Sequence, residues 1–378
     1  MKMMFWRKDK FLRAGKPRPY NKIIIAAIIL CAVLSSCSRI SVQTEIFFAM
    51  DTFVNSTVIT MDDDFGKELN QRIEEIIAEV EGRISKTLEI SEIYRLNAYA
   101  KLSSSRQFIY SELSEETFKL LELAKTVQNS TNGAFNPCLG DIIDLWGIND
   151  TEREHALPQR DEFFTRLELL HNYDYEIKRN TAGEYILEGY PSKIDLGAIG
   201  KGYALDCVND YLESESIQNA HVSFVSSILA LGRNRAGELW SIGLKDPVNP
   251  ENLAGVINAS DKFISVSAGY ERFVNIDGIN YIHIIDPETG YPVNNDLLCV
   301  VVIMDAKSVS MPRDRRGQFE NNGALSDALS TALYVMGRQK ALDFYAGGAF
   351  DFEMILFYRS ENERGYEILH TSVSFNER

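Results

Sequence analysis

The chain has 378 residues, of which 45% are hydrophobic and 11% aromatic. This is the composition of a well-packed globular protein, and it excludes a largely disordered one. The formal net charge is −15 at pH 7, and because contact with a phosphate backbone needs a basic surface, this charge argues against nucleic acid as a partner.

The first 36 residues resemble a bacterial lipoprotein signal. They carry eight Lys or Arg and one Asp, and an apolar run at 23–33 precedes Leu34-Ser35-Ser36-Cys37. That run is too short to cross a bilayer core of ~30 Å as a helix. Small residues before a cysteine are typical of a lipobox, in which Cys37 is lipidated and becomes the first residue of the mature chain. The alternative is a short uncleaved anchor that contains Cys37.

These features divide the chain into three predicted segments. Residues 1–36 are a lipoprotein signal peptide, 37–44 a tether and 45–378 the folded domain. Because residues 1–36 carry a net charge of +7, the chain without them has a net charge of −22. We expect the domain to lie outside the cytoplasm, anchored through the lipid on Cys37 to the inner or outer membrane of the cell envelope.

The pattern of elements predicts an α+β domain with mixed or antiparallel sheets flanked by helices. Residues 46–60 alternate and are rich in β-branched side chains, which predicts two strands joined by a turn. Apolar spacing and capping residues predict helices at 67–84, 114–127, 161–170, 203–212 and 324–336. Short β-rich runs predict strands at 221–231, 239–244, 256–258, 263–267, 273–276, 281–285 and 299–304.

A polar segment at 308–322 contains three arginines. We expect it to be a solvated insertion rather than a binding element. Its relation to the functional site stays open at this point.

The segment Asp195-Leu-Gly-Ala-Ile-Gly-Lys-Gly202 joins a predicted strand to a predicted helix. Its glycines let the backbone approach a ligand, and Lys201 offers a positive charge to a phosphate. Asp195 can accept hydrogen bonds from a ribose or a ring edge. The pattern is neither a P-loop nor a dinucleotide-binding fingerprint, so its specificity is low when it is taken alone.

Asp327 and Thr331 are four residues apart in a predicted helix, so their oxygens project from one face. Two such oxygens and a backbone carbonyl can hold a hard cation such as Mg²⁺, which keeps waters and substrate phosphates among its ligands. The alternative is structural. An aspartate near a helix N-terminus is favoured by the helix dipole, and the threonine can bond back to a carbonyl one turn earlier.

His283 is one of only five histidines and lies in an Ile-rich run before the turn Asp286-Pro287-Glu288-Thr289-Gly290. An imidazole with an ordinary pKa near 6.5 is suited to general-base chemistry at neutral pH. The alternative is a buried histidine whose ring is satisfied by a backbone carbonyl.

Together these segments resemble the ApbE-type FAD:protein FMN transferases, and the resemblance runs from about residue 45 to the C-terminus. The motifs occur in the order found in that family: Met50-Asp51-Thr52, Gly133 to Pro137 with Leu145 to Gly147, Ile194 to Asp206, Trp240 to Pro247, Ser265 to Val293, and Asp327 to Gly337. The resemblance implies an ApbE-like fold and FAD as a substrate. It also implies that Mg²⁺ binds near the pyrophosphate, that a Thr or Ser hydroxyl attacks the FMN-side phosphorus and that AMP leaves.

The resemblance also implies roles for individual residues. His283 would be the general base toward the acceptor hydroxyl. The metal ligands would be the Ala198 backbone carbonyl, Asp327 and Thr331. The positions that contact FAD would be Met50, Ala134, Phe135, Asn136, Asp195, Lys201 and Ile284.

The expected acceptors are exported subunits of Rnf-type or sodium-pumping quinone reductase (Nqr-type) complexes that carry a Ser/Thr flavinylation motif. Two other functions are compatible with the same residues. Water could replace the acceptor, which gives a FAD pyrophosphatase, or the protein could bind FAD without turning it over.

Three positions depart from the family pattern around the flavin pocket. Ser223-Phe-Val-Ser-Ser227 stands where Asn-x-Gly-Gly-Asn is common, Thr87 replaces a common tyrosine and Asn136 a usual aspartate. The lost glycines add Cβ atoms where the backbone approaches a ligand or adopts a positive φ. The lost tyrosine removes a stacking surface.

Overall fold

The computed structural model describes residues 40–102, 107–150, 152–172, 174–189, 192–306, 321–371 and 374–377. The predicted signal peptide, residues 37–39 of the predicted tether and most of the 308–322 insertion lie outside these residues. The rest of the predicted tether is not an extended linker, because residues 41–44 belong to the first strand and the fold begins at 41 rather than 45. Contacts group Ser41–Arg378 as one compact unit. In the part of the chain that is described, no helix has the length and apolar character needed to cross a membrane.

Sixteen strands and seven helices are found in the described residues. The strands are β1 (Ser41–Ala49), β2 (Thr52–Thr60), β3 (Phe108–Tyr110), β4 (Glu176–Arg179), β5 (Tyr185–Gly189), β6 (Ala220–Ser223), β7 (Ser227–Leu231), β8 (Trp240–Lys245), β9 (Leu253–Ala259), β10 (Lys262–Ala268), β11 (Phe273–Ile276), β12 (Ile279–Ile282), β13 (Leu297–Asp305), β14 (Glu353–Arg359), β15 (Tyr366–His370) and β16 (Phe375–Glu377). The helices are α1 (Asp63–Ile84), α2 (Glu92–Leu102), α3 (Glu115–Ser130), α4 (Gly140–Trp146), α5 (Arg160–Asn172), α6 (Gly200–Ser214) and α7 (Asn322–Ala346).

An eight-stranded antiparallel sheet, in the order β1-β2-β6-β7-β10-β13-β14-β15, forms the centre of the fold. Helices α1, α6 and α7 pack on one face. A three-stranded sheet, β16-β9-β8, covers β7, β10, β13 and β14 on the other face with its own apolar core. The remaining sheets are β3-β5-β4 and β11-β12. This arrangement confirms the predicted α+β class.

Helix α1 shows how local sequence produces these elements. Asp62 caps its N-terminus by accepting a hydrogen bond from the Phe65 amide at 2.8 Å, so the helix begins four residues before the predicted start. The predicted apolar face is buried as expected and comprises Leu69, Ile73, Ile76, Ile77 and Val80. Burial of this stripe against β1 and β2 is the main stabilising contribution of the helix.

Three predicted elements differ from the structure. The single strand at 221–231 is two strands, because a tight turn at Val225 separates β6 from β7. The strand at 281–285 ends at Ile282, so His283 lies just beyond it. The helix at 324–336 continues to Ala346 after a kink at Gly337, whose φ of 76° breaks the helical backbone. Helices α2 and α4 and strands β3, β4, β14, β15 and β16 were not predicted.

Helices α6 and α7 cross with their backbones in contact. A Cβ atom on Gly202 would lie 2.0 Å from the Gly323 carbonyl oxygen, so only glycine fits. The Asp206 carboxylate accepts hydrogen bonds from the Gly323 and Ala324 amides at 2.8 and 2.7 Å, which caps the start of α7. The crossing therefore holds Asp327, one turn into α7, against the N-terminus of α6.

Candidate functional site

A cleft of about 670 Å³ opens beside the α6–α7 crossing. Every predicted site residue within the described part of the chain lines it. They are Met50, Ala134, Phe135, Asn136, Asp195, Ala198, Lys201, His283, Ile284, Asp327 and Thr331. Residues that are far apart in sequence thus share one surface, and each role assigned to them stays a prediction.

Asp327 is held by both of its carboxylate oxygens. Oδ2 accepts from the Gly202 amide and Oδ1 from the Ser227 hydroxyl, each at 3.1 Å, and the residue is 5% exposed. Asp206 caps α7, so Asp327 is not the aspartate that satisfies this helix N-terminus. This finding argues against the alternative in which Asp327 serves only to stabilise the helix N-terminus.

The donor set around Asp327 fits a hard cation. The Asp327 carboxylate keeps lone pairs beyond its two hydrogen bonds, and the Thr331 hydroxyl lies 3.3 Å from Ser267 Oγ and 3.5 Å from the Asp327 carbonyl. Ala198 lines the same wall of the cleft. The described residues contain no cluster of three or more His, Cys, Asp and Glu side chains, so a cation here would depend on hydroxyl, carbonyl and phosphate oxygens.

The glycine-rich turn before α6 presents positive electrostatic potential to the cleft. At the start of helix α6 the Gly200 amide donates to the Leu196 carbonyl at 2.8 Å and the Gly202 amide donates to Asp327, so this end offers an anion the positive end of the helix dipole. Lys201 Nζ lies 4.0 Å from Asp327 Oδ2 and 3.5 Å from the Gly197 carbonyl. This end of the cleft suits a phosphate group.

Asp195 is more constrained than its sequence pattern suggested. Its Oδ1 accepts from the Gly197 amide at 2.7 Å, and its Oδ2 pairs with Lys86 Nζ at 2.7 Å. Lys86 also contacts Asp144 at 2.7 Å. Burial lowers the pKa of Lys86, but the two carboxylates outweigh burial and the pKa is raised. Lys86 was missed because its partners are distant in sequence.

His283 is held in one tautomer. Its Nδ1 and its backbone amide both lie 3.1 Å from the Arg272 carbonyl oxygen. A carbonyl only accepts, so Nδ1 carries the proton and Nε2 is the free acceptor. The pKa of His283 is lowered to about 4, mainly by burial; the hydrogen bond to the Arg272 carbonyl opposes this shift, and the charges of Lys201 and Arg272 add to it. The ring is therefore neutral at pH 7. The alternative of a histidine satisfied by a backbone carbonyl describes Nδ1 but not Nε2.

The turn after His283 is structural. The Asp286 carboxylate accepts from the Glu288 amide at 2.9 Å and from the Thr289 hydroxyl at 3.1 Å. Buried Trp146 donates its indole N–H to the Gly290 carbonyl at 2.8 Å, which docks this turn on the end of helix α4. Asp286 therefore holds the turn that follows His283.

Arg272 connects His283 to the first hairpin. Its guanidinium donates to the Asp51 carbonyl at 2.9 Å, while its own carbonyl accepts from the His283 ring. Met50 and Asp51 form the hairpin turn with φ of 51° and 58°, the pattern of a type I′ turn. Arg272 was not among the predicted site residues, since nothing local distinguishes it from a solvated arginine.

Val225 occupies a conformation that favours glycine. The Ser226 amide donates to the Phe224 carbonyl at 2.9 Å, so Val225 is the centre of a γ-turn with φ of 72°. A β-branched residue there is strained. The change from the family pattern at Ser223–Ser227 therefore has the predicted consequence, because a residue with a Cβ atom occupies a backbone position with positive φ. The backbone keeps a glycine-like conformation, and Val225 adds an exposed side chain to the cleft wall.

A family model described as the ApbE family matches residues 50–355. The chain belongs to the ApbE family. Among the relatives of this ApbE-family protein, the FAD:protein FMN transferase of Vibrio cholerae serotype O1 is 30% identical over 277 residues, which cover 73% of this chain and 75% of that one.

Solved structures of the family have the same fold. The flavin transferase ApbE from Vibrio cholerae aligns with a TM-score of 0.71 at 25% identity, over 88% of this chain and 98% of that one. The ApbE protein from Thermotoga maritima aligns with a TM-score of 0.70 at 27% identity, over 88% and 97%. The predicted resemblance and ApbE-like fold are confirmed.

Replacing Val225 with glycine tests the strain at the γ-turn. We expect Val225→Gly to raise the free energy of unfolding by about 1 kcal/mol, because the relieved strain exceeds the added chain entropy. Urea unfolding measures the change. The matched control is Val248→Gly at an exposed residue without positive φ, which should lower stability. If both variants lower the free energy of unfolding by the same amount, Val225 is not strained.

Proposed function

We propose that this ApbE-family protein transfers FMN from FAD to a Thr or Ser hydroxyl of an acceptor protein. The observation that carries the proposal is the cleft itself. It gathers a neutral histidine, an anchored carboxylate with a hydroxyl beside it, and the N-terminus of helix α6 with Lys201. A phosphoryl transfer needs a base and neutralised phosphate charge, for which the cleft has candidates, and an oriented hydroxyl, which the acceptor protein supplies.

The proposed reaction balances as a displacement at phosphorus. The acceptor hydroxyl oxygen bonds to the FMN-side phosphorus while the pyrophosphate P–O bond breaks, and AMP leaves. The hydroxyl proton passes to His283 Nε2. The product is FMN attached to the acceptor through a phosphodiester.

The residues of the cleft divide this work. Lys201 and the α6 N-terminus bind the pyrophosphate, and Arg272 fixes the ring of His283. Asp327, Thr331 and the Ala198 carbonyl would hold Mg²⁺. When bound, that ion would neutralise the pyrophosphate and the charge that develops on the leaving group.

The transfer is tested by incubating the protein with FAD, Mg²⁺ and an acceptor that carries Asp-x-x-Ser/Thr-Gly-Ala-Ser/Thr. We expect a covalently fluorescent acceptor and stoichiometric AMP. Asp327→Asn should reduce both at least a hundredfold, because a neutral amide binds Mg²⁺ weakly. The exposed Asp351→Asn variant is the matched control. AMP without a labelled acceptor would support a FAD pyrophosphatase, and intact FAD would support a binding protein.

The pH dependence of the transfer tests His283 as the base. Because the pKa of His283 is lowered from its ordinary 6.5 to about 4, the base stays unprotonated as the pH falls and protonates only near pH 4. We expect kcat/KM to decline near pH 4. His283→Gln should lower the rate 10²–10⁴-fold, whereas His370→Gln should not. A decline centred at pH 6.5 would contradict the neutral, buried imidazole.

We further propose that the protein is lipid-anchored through Cys37 and works outside the cytoplasm on Rnf- or Nqr-type subunits. The support is the lipobox-like sequence and basic leader in residues 1–37. Cys37→Ala should prevent labelling by radioactive palmitate, with Cys138→Ala as the control. Undiminished labelling of Cys37→Ala would contradict this anchor.

A further inference from the structure

The open face of β1 and β2 carries an exposed apolar patch. Ile46, Phe48 and Phe53 on this face are 65%, 64% and 65% exposed. Together with Val225 of the turn between β6 and β7, which is 60% exposed, we call these residues the shelf. Phe48 and Phe53 are register partners whose rings meet edge to face at 5.5 Å between centroids. Large exposed aromatic side chains that cluster in this way mark interaction surfaces.

This face is free of charge over two whole strands. Because side chains alternate along a strand, the face presents Val42, Thr44, Ile46 and Phe48 from β1 and Phe53, Asn55, Thr57 and Ile59 from β2. None is charged, in a chain of which 25% of residues are charged. The β16-β9-β8 sheet covers the neighbouring strands from β7 onward and leaves this part open.

The shelf ends at the mouth of the cleft. Phe53 follows directly after Met50, Asp51 and Thr52, which line the cleft. Val225 belongs to both surfaces, because it lines the cleft and lies two residues beyond Ser223, the register partner of Asn55. The shelf and the cleft are therefore continuous.

The shelf is also connected to His283, the proposed base, through Arg272. Arg272 donates to the Asp51 carbonyl at the hairpin turn and accepts from the His283 ring through its own carbonyl. One residue thus fixes the turn between Phe48 and Phe53 relative to the group that takes the acceptor proton. An acceptor hydroxyl at His283 brings its flanking residues next to this hairpin.

We propose that the shelf is the docking surface for the acceptor protein, which contacts it through apolar residues near the target Ser or Thr. This inference rests on the proposed transferase function. Val225 is strained at the junction of the two surfaces, as expected for a residue retained for contact rather than stability. A shelf facing lipid instead would close the mouth through which the hydroxyl must enter.

The experiment measures steady-state FMN transfer by the full chain in detergent, at saturating FAD and Mg²⁺, against the concentration of the motif-bearing acceptor protein. The Phe48→Ser/Phe53→Ser double variant should raise the KM for the acceptor at least tenfold. Its kcat should stay within twofold and its dissociation constant for FAD should not change. Ile46→Lys, which places a charge on the same face, should also raise KM and covers the case in which the double variant fails to fold.

The matched control is Phe164→Ser, a 51% exposed phenylalanine of α5 that does not line the cleft. It should leave KM unchanged. If wild-type protein labels no acceptor, the transferase proposal and the docking proposal both fail. If wild type labels the acceptor and both shelf variants keep its KM, docking alone is overturned. If the shelf variants keep the KM in detergent but lose transfer rate on vesicles of phosphatidylethanolamine and phosphatidylglycerol, the shelf contacts lipid instead.

Discussion

The contact between two glycines at the crossing of α6 and α7 determines the geometry of the site. A Cβ atom at Gly202 would meet the Gly323 backbone at 2.0 Å, so the two helices approach closely only because both residues lack side chains. That approach lets the Gly202 amide donate to Asp327 and brings Lys201 within 4.0 Å of the same carboxylate. A larger residue at either position would separate the anion-binding helix end from the carboxylate.

A second set of contacts holds His283, the proposed base, in the same cleft. Arg272 holds the His283 ring in one tautomer and also holds the hairpin turn at Asp51, while the Asp286 turn is fixed against Trp146. Burial keeps the imidazole neutral. In the proposed function, Lys201 and Asp327 lie at the phosphate end of the cleft and His283 takes the proton, while Arg272 connects His283 to the hairpin that carries the shelf. This layout explains why the acceptor would enter over the first hairpin.

Much of the fold could be predicted from the sequence because its signals are local. The apolar face of α1, the Ser114 cap and a turn within residues 46–60 each depend on neighbouring residues. The ordered motifs also identified a set of site residues, and every one of them that the structure describes lines the same cleft. Short β-rich runs predicted most strands, with boundaries within a few residues of those in the structure.

The remaining features depend on tertiary context. Lys86 and Arg272 acquire their roles from partners 109 and 221 residues away, which no local pattern reveals. The γ-turn at Val225 contradicts the β propensity of valine, so the sequence predicted one continuous strand there. The continuation of α7 beyond Gly337 is likewise set by packing, because glycine at that position is a usual helix end.

We propose that the carboxylate fixed at the helix crossing marks the phosphate end of a FAD site. A crystal structure of the protein with FAD and Mn²⁺, using the anomalous signal of manganese, tests it most directly. We predict an anomalous peak about 2.1 Å from oxygens of Asp327 and Thr331, with the pyrophosphate beside Lys201 and the α6 N-terminus. A metal elsewhere, or FAD in the separate cavity lined by Tyr94, Asn97 and Lys193, would contradict the account.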